Sequence, residues 1–231
     1  MDHIDPATGK SMTIRIRRTK GEFASFTVAV EKHTTLLDAF EEIRASQDPT
    51  LVYRHSCHHG SCGTCGVLVD GERVLACLTT LSRLDEEPTV GPLAGFPVIA
   101  DLAVDPTPLY RGFPRDASYL RDSDVNREAV PPEEIDRFSR FENCIECGLC
   151  VSACPVVGPF NGPAALAAFG RELEQRPDRA GELLPQIAGP DGATRCERAL
   201  VCSAVCPLGV APAKHIAVLQ RKLSQSSSAQ R

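Results

Sequence analysis

Hydrophobic and polar residues alternate in two stretches near the start of the chain. Residues 12–19 and residues 22–31 place an apolar side chain at nearly every second position, as half-buried β-strands do, and Gly21 lies at the turn between them. The same period returns in residues 67–77, which an Asp-Gly turn divides into two halves, and in residues 88–91. The pattern predicts a small sheet made of two hairpins and one further strand.

One helix is predicted between the two hairpins, over residues 34–47. Thr35 and Asp38 have the spacing of a capping box, and Asp48-Pro49 ends the helical period. The apolar side chains of this segment fall on one face: Leu36, Leu37, Phe40 and Ile43. The first part of the chain is therefore expected to be a sheet wrapped on a single helix.

Prolines interrupt every pattern between residues 91 and 132. Proline has no N–H to donate, so neither a long helix nor a central strand is expected there. We divide the chain into an N-terminal domain of residues 1–105, a proline-rich linker of residues 106–132, and a C-terminal domain of residues 133–231.

The C-terminal domain has helical periods. Residues 133–141 lead into a group of cysteines, Gly162-Pro163 opens a second helical stretch, and residues 212–225 form a last helix. The fold class predicted for the whole chain is α+β, with the sheet in the first domain and the helices in the second.

Composition excludes several classes of protein. The net charge is −5, and no basic patch interleaved with aromatic residues indicates nucleic-acid binding. No apolar run approaches the ~20 residues that span a bilayer, and the start of the chain lacks the apolar core of a secretion signal. A cytoplasmic protein, or a soluble subunit docked on a partner, is expected.

The 11 cysteines change this picture most. An odd number of cysteines at two- and three-residue gaps makes a poor disulfide framework, and a cytoplasmic chain would not keep one. Zinc is one alternative, because C-x2-C pairs also occur in zinc sites. Four thiols within eleven residues followed by proline favour iron–sulfur clusters instead.

The first cysteine group has the C-x4-C-x2-C spacing of a plant-type ferredoxin, which predicts a [2Fe–2S] cluster. Its four candidate ligands are Cys57, Cys62, Cys65 and Cys77. Three of them come from one loop and the fourth from the second hairpin.

Glycines and histidines crowd the same loop. Glycine permits positive φ and lets backbone N–H groups point at the cluster sulfurs, and the glycines concerned are Gly60, Gly63 and Gly66. A Rieske-like histidine ligand is an alternative. Four cysteines already supply four ligands, however, so we interpret the histidines as solvated or partner-contacting residues: His55, His58 and His59.

The second cysteine group follows the bacterial ferredoxin spacing C-x2-C-x2-C-x3-C-P, in Cys144, Cys147, Cys150, Cys154 and Pro155. The third group, Cys196 to Pro207, has the same spacing with Ala199 in the second position. In ferredoxins with two such runs, the fourth cysteine of each run binds the other cluster.

This crossing rule assigns every remaining cysteine. A [4Fe–4S] cluster takes Cys144, Cys147, Cys150 and Cys206, and the second cluster takes Cys154, Cys196 and Cys202. The second cluster lacks a thiolate at Ala199, and a corner without a thiolate loses its iron, which predicts [3Fe–4S]. The alternative is a decayed site, but the other ligands and both prolines are present.

These residues resemble the iron–sulfur subunit of succinate dehydrogenase or fumarate reductase, the respiratory complex II family. Beyond the cysteine spacings, the similar segments are SCGTCGVLVDG at 61–71, ACLT at 76–79, Gly162 to Ala165, and CPLGVAPAKHI at 206–216. The resemblance covers the chain apart from its extreme ends. It implies a β-grasp [2Fe–2S] ferredoxin domain followed by an α-helical bacterial-ferredoxin-like domain with two clusters.

The resemblance also implies a function. Such a subunit relays single electrons between the FAD of a flavoprotein subunit and a membrane quinone, through [2Fe–2S], [4Fe–4S] and [3Fe–4S] clusters. The implied partners are the flavoprotein and one or more membrane anchor subunits, and the implied location is the cytoplasmic face of the inner membrane. The chain would act as part of an enzyme, with no acid–base catalytic residue of its own.

Two departures affect the quinone contacts that the resemblance implies. The family often has a Trp a few residues after the proline equivalent to Pro155, whereas this chain has no Trp, and some members have a His where this chain has Glu197. Pro155 and Phe160 are the remaining candidates for quinone-proximal residues, and packing under the cluster is an alternative role for Phe160.

Two other functions fit the same motifs. A free multi-cluster ferredoxin-type carrier would have a polar surface throughout, whereas the complex II function requires an apolar face near Cys154 and Cys196. The iron–sulfur subunit of a soluble thiol-dependent fumarate reductase is the third candidate, and such chains usually carry an additional cysteine-rich domain.

Overall fold

The computed structural model describes residues 10–114 and 144–229, with side chains described up to residue 226. The chain divides into two compact units between Asp105 and Pro106. The predicted helical stretch 133–141 and most of the predicted linker lie outside the described residues.

The N-terminal unit is built on a five-stranded sheet in the order β2-β1-β5-β3-β4. Strand β1 pairs antiparallel with β2 and parallel with β5, and β3 pairs antiparallel with both β4 and β5. The strands are β1 (Lys10–Arg17), β2 (Phe23–Val30), β3 (Gly66–Val69), β4 (Glu72–Leu75) and β5 (Thr89–Pro92). The predicted hairpins and the additional strand are confirmed.

Helix α1 (Leu36–Ser46) packs its apolar face on this sheet. The predicted capping box is present: the Thr35 hydroxyl accepts from the Asp38 N–H at 3.2 Å, and the Asp38 carboxylate accepts from the Thr35 N–H at 2.8 Å. The side chains predicted for its buried face are all almost fully buried: Leu36, Leu37, Phe40 and Ile43. This helix fixes one side of the first cysteine loop.

A third hairpin of this unit was not predicted from the sequence. Strands β6 (Val98–Ala100) and β7 (Ala103–Val104) are too short for a period to be visible between flanking prolines. Buried Asp101 at their turn accepts hydrogen bonds from the Thr19 and Val52 N–H groups at 2.8 and 2.9 Å. The carboxylate therefore ties this hairpin to the loop after β1.

The C-terminal unit is helical in its described part. Its helices are α2 (Thr107–Tyr110), α3 (Leu149–Ala153), α4 (Pro163–Gln175), α5 (Ala180–Gln186), α6 (Val201–Ala204) and α7 (Pro212–Ala229). Pro163 occupies the first turn of α4 as predicted, and α7 continues past the predicted end at residue 225. Short helix α2 stands at the start of the predicted linker, where Pro108 lies in its first turn.

Helices α4 and α7 form the centre of this unit. Gly170 of α4 lies so close to His215 of α7 that a Cβ at Gly170 would come within 2.9 Å of the His215 Cβ. The core between these helices and their neighbours consists of Leu166, Phe169, Leu173, Leu183, Leu184, Ile187, Ala193, Ile216 and Leu219. This core carries the loops that hold the second and third cysteine groups.

A buried ion-pair network closes one end of α4. The Glu172 carboxylate is fully buried and pairs with Arg176, with Arg179 at 3.5 Å and with buried Arg171 at 3.5 Å. Removing one partner of a buried pair leaves the others desolvated without compensation, which costs several kcal/mol. The network is therefore a sensitive point of this unit.

We expect Glu172→Gln to lower the free energy of unfolding by about 3 kcal/mol, because it removes the charge of the fully buried carboxylate that Arg171, Arg176 and Arg179 share. The measurement is the denaturant midpoint of the cluster-loaded chain, followed by circular dichroism. Glu182→Gln is the matched control: this carboxylate is 56% exposed, so its pair with Arg179 contributes less than about 1 kcal/mol. Equal midpoint shifts for the two variants would contradict this interpretation.

Candidate metal centres

The four thiols of the first cysteine group lie together in the N-terminal unit. Cys57, Cys62 and Cys65 belong to the loop between α1 and β3, and Cys77 lies in a single 3-10 turn directly after β4. The Cys65 and Cys77 sulfurs are 3.4 Å apart, and the Ala76 N–H donates to the Cys65 carbonyl at 3.0 Å. The second hairpin strand was predicted to reach Cys77, whereas β4 ends at Leu75, two residues earlier.

Backbone N–H groups in this loop point at sulfur. The Ser61 and Cys62 N–H groups donate to the Cys57 sulfur at 3.2 and 3.3 Å. Gly60 and Gly63 have φ of +77° and +69°, so the expectation of positive φ holds for these two. It is wrong for Gly66, which begins β3 and pairs with Leu75 in regular extended backbone.

The local environment shifts the pKa values of two thiols in this loop, Cys57 and Cys65, in opposite directions. Hydrogen bonding from the His59 backbone, and then from the Cys62 side chain and the Ser61 and Cys62 backbone, lowers the pKa of Cys57 to about 6 against the opposing effect of burial. Burial raises the pKa of Cys65 to about 12. A metal ion deprotonates its thiol ligands outright, so Cys57 is prepared as a thiolate, whereas Cys65 must release its proton when metal binds.

The second site is an apolar cavity in the C-terminal unit. The sulfur-bearing residues on its wall are Cys144, Cys147, Cys150 and Cys206. Its remaining lining is mostly aliphatic, including Ile145, Leu208 and Val210, and the Val210 N–H donates to the Cys206 sulfur at 3.4 Å. Burial raises the pKa of Cys144 to about 11 and raises the pKa values of Cys147 and Cys150.

The third site is a second apolar cavity of the same unit. Cys154, Cys196 and Cys202 line it together with Ala199 and Pro155. Burial, followed by the charge of Cys196, raises the pKa of both Cys154 and Cys202. The structure therefore brings the cysteines together in the crossed groups that the sequence predicted, and the assignment of ligands to individual clusters stays a prediction.

Two short helices explain how the crossing arises. Cys150 lies in the first turn of α3, and Cys154 follows its last residue, so about 6 Å of helical rise separates them. Cys202 lies in the first turn of α6 and Cys206 lies two residues after its end, and α3 packs against α6. Each helix, together with the residues that follow its end, thus presents one cysteine to each cavity.

The two cluster loops share a backbone path despite their different residues. Glu146 has φ +54° and Arg198, at the equivalent position, has φ +57°. Gly148 has φ +76°, and its equivalent Leu200 has φ +62°. Ala199 consequently occupies the same place in its loop as Cys147 does in the other, and Leu200 adopts a conformation that costs a non-glycine residue about 1–3 kcal/mol.

The sequence did not predict that Gln220 of α7 contacts the third cysteine loop. Its side-chain amide donates to the carbonyls of Ala193 and Cys196 at 2.9 and 3.2 Å, and its amide oxygen accepts from Arg198 at 2.9 Å. Gln220 therefore fixes the third cysteine loop to the last helix. A lone glutamine in an amphipathic helix gives no sequence signal for such a role.

The two residues proposed near the quinone lie in different places. Pro155 lines the third cavity. Phe160 packs, partly buried, against the core around Leu166 and Phe169, and its roles near the quinone or under the cluster stay predictions. Within the described part of the chain, no helix has both the length and the apolar character needed to cross a membrane.

The fold and the cysteines define an iron–sulfur protein with a [2Fe–2S] domain followed by a domain for two further clusters. The family model described as "2Fe-2S iron-sulfur cluster binding domain" matches residues 12–111, and the one described as "4Fe-4S dicluster domain" matches residues 140–210. The predicted α+β fold, with a [2Fe–2S] ferredoxin domain before a helical ferredoxin-like domain, is confirmed.

Relatives extend over nearly the whole chain. The fumarate reductase iron-sulfur subunit of Mycobacterium tuberculosis is 35% identical over 90% of this chain and 87% of its own length. The succinate dehydrogenase iron-sulfur subunit of Coxiella burnetii is 32% identical over 83% of this chain and 85% of its own length. A chain of the Mycobacterium smegmatis Sdh1 complex in the apo form superposes with a TM-score of 0.76 at 26% identity, covering 95% of this chain and 98% of that one.

The chain belongs to the family of iron–sulfur subunits of fumarate reductase and succinate dehydrogenase. It is an electron-transfer subunit of this class of oxidoreductase, as its sequence predicted.

Proposed function

We propose that this chain relays electrons between a flavoprotein subunit and a membrane quinone through three clusters. When bound, the clusters supply one-electron transfer, which divides the two-electron chemistry of FAD into steps that quinone accepts. The observation that carries the proposal is the grouping of the cysteines: one set of four in the N-terminal unit, a cavity with four, and a cavity with three and an alanine.

The donor sets fit the groups assigned to them. Cys57, Cys62, Cys65 and Cys77 would hold [2Fe–2S]; Cys144, Cys147, Cys150 and Cys206 would hold [4Fe–4S]; and Cys154, Cys196 and Cys202 would hold [3Fe–4S]. The metal-ligating side chains on the walls of the two cavities are the thiols and two carboxylates. The carboxylates belong to Glu146 and Glu197.

The protein itself tunes and insulates these sites. N–H groups that donate to the sulfurs of Cys57 and Cys206 stabilise negative charge there and raise the tendency to accept an electron. The aliphatic walls of both cavities exclude water, which strengthens these electrostatic effects. None of the residues assigned to these sites needs to transfer a proton in the reaction.

The partner surface follows from the exposure of apolar side chains around the third cavity. Val157, Leu200 and Val201 are 84%, 61% and 37% exposed, and Leu200 and Val201 line the cavity mouth. Singly exposed apolar residues are ordinary, but a group beside a redox site indicates a docking face. We assign this face to the membrane anchor, with the quinone nearby, on the cytoplasmic side of the inner membrane.

A free ferredoxin-type carrier is the competing function, and it has no use for an apolar face at this site. Isolation from gently solubilised membranes distinguishes the two. We expect the chain to copurify with an FAD-containing subunit and a membrane-embedded anchor. Recovery of the cluster-loaded chain alone, in the soluble fraction, would refute the complex and favour the free carrier.

We expect Leu200→Asp to reduce retention of the assembled complex on membranes at least ~10-fold, because burying a leucine in an interface contributes about 1.5–3 kcal/mol and a buried charge opposes docking. Asp tolerates the left-handed backbone of this position, so the loop itself should not be strained. Ile99→Asp is the control, since Ile99 is equally exposed, at 65%, but belongs to the other unit. Sedimentation of membranes measures both, and unchanged retention of the Leu200 variant would exclude this docking face.

A further inference from the structure

We propose that Glu41, His55 and His58 form a surface site for one Zn²⁺ ion beside the first cysteine loop. The group lies within the N-terminal unit and contains none of the cysteines assigned to clusters. The cluster relay makes no use of these three side chains. Two imidazoles and one carboxylate are a ligand set that zinc accepts.

The distances between the candidate ligand atoms fit a tetrahedral ion. His55 Nδ1 and His58 Nε2 are 3.1 Å apart, His58 Nε2 lies 3.4 Å from Glu41 Oε1, and His55 Nδ1 lies 3.8 Å from the same oxygen. Ligands at 2.0–2.1 Å from a tetrahedral zinc ion are separated by about 3.3 Å. The three edges scatter around this value, so shifts of a few tenths of an ångström would complete the site.

The scaffold holds these ligands at the right places before any ion binds. Glu41 belongs to α1, which is fixed to the sheet by its buried face. The His55 ring packs against Tyr53 with centroids 5.2 Å apart and the rings tilted by 36°, and Tyr53 packs on buried Phe40 at 5.4 Å. Such packing restricts the rotamers of the ligand side chains, so less conformational entropy is lost when an ion binds.

The site differs from a structural zinc site in being open. Its ligands are about two-fifths exposed, and three protein ligands leave the fourth position to water or to a group from a partner. An exchangeable ion is therefore expected, rather than one needed for folding.

Zinc binding to the full-length, cluster-loaded chain tests the site. After anaerobic washing with a chelator, Zn²⁺ is titrated in competition with a chromogenic indicator, and iron content is measured throughout. We expect one equivalent to bind without loss of iron. His55→Ala, His58→Ala and Glu41→Gln should each weaken binding at least ~10-fold, since even outer-shell partners of a metal site contribute that much.

Matched controls exclude a general effect of lost surface residues. His33→Ala removes another exposed histidine, and Glu42→Gln changes the exposed carboxylate next to Glu41 on the same helix. Both should keep the affinity of the unmodified chain. The absence of zinc binding, or equal affinity in all five variants, would overturn the proposal.

X-ray absorption at the zinc edge separates this site from capture of zinc by cysteines. The expected spectrum has nitrogen and oxygen scatterers at about 2.0 Å and no sulfur at about 2.3 Å. A sulfur shell would show that zinc takes a cluster position and would overturn the proposal, whereas the cluster assignment would be judged separately from the iron content.

Discussion

Replacing Cys206 by Ser should remove the [4Fe–4S] cluster, although Cys206 follows the three-iron ligands in the sequence. Its sulfur lies on the wall of the cavity shared with Cys144, Cys147 and Cys150. The iron content should fall from roughly nine to roughly five atoms per chain, because two, four and three irons are assigned to the three sites. Electron paramagnetic resonance checks which cluster is lost, since the three-iron centre is paramagnetic when oxidised and the four-iron centre when reduced.

The reciprocal variant makes this test decisive. Cys154→Ser should remove the oxidised three-iron signal and spare the four-iron cluster, because Cys154 lines the cavity with Cys196 and Cys202. The [2Fe–2S] cluster in the same molecule reports on folding of the N-terminal unit, and Cys62→Ser, which should remove that cluster alone, is the matched control. If each variant lost the cluster nearest in sequence, the crossed assignment would be wrong.

Cysteine spacing predicted the site better than it predicted its surroundings. The intervals between ligands are set by the geometry of a cluster, so they can be read from the sequence alone. The placement of Cys154 and Cys206 in opposite cavities agrees with the predicted crossing, because α3 and α6 each have one cysteine in their first turn and another just after their end. The left-handed backbone at Leu200 could not be predicted, since nothing in a leucine indicates positive φ and only the parallel with Gly148 makes it visible.

Long-range contacts limited how much of the N-terminal unit could be predicted from the sequence. Helix α1 was predictable, because its capping box and apolar stripe are local features of the sequence. The β6–β7 hairpin was not, because it depends on Asp101 binding backbone groups more than forty residues away. The cluster of Glu41 with His55 and His58 has the same origin: a helix and a loop bring together residues that share no motif.

Replacing Ala199 by Cys should convert [3Fe–4S] into [4Fe–4S]. Ala199 lines the third cavity, and its neighbours Arg198 and Leu200 have the backbone conformation found around Cys147. A thiol at residue 199 is therefore placed where the equivalent ligand stands in the other loop. We expect the iron content to rise by about one atom per chain and the oxidised three-iron signal to disappear.

The added thiolate should also change the function of the last relay site. It brings negative charge into an apolar cavity, which opposes reduction, so the midpoint potential of this cluster should fall and, in the proposed relay, electron transfer to quinone should slow. Ala204→Cys is the matched control, because Ala204 is an exposed alanine of α6 that does not line the cavity. An unchanged oxidised signal together with an alkylatable thiol at residue 199 would show that this position lies away from the cluster. A signal lost in the Ala199 variant and kept in the Ala204 variant would instead mean that one side chain determines the number of irons bound at the third site.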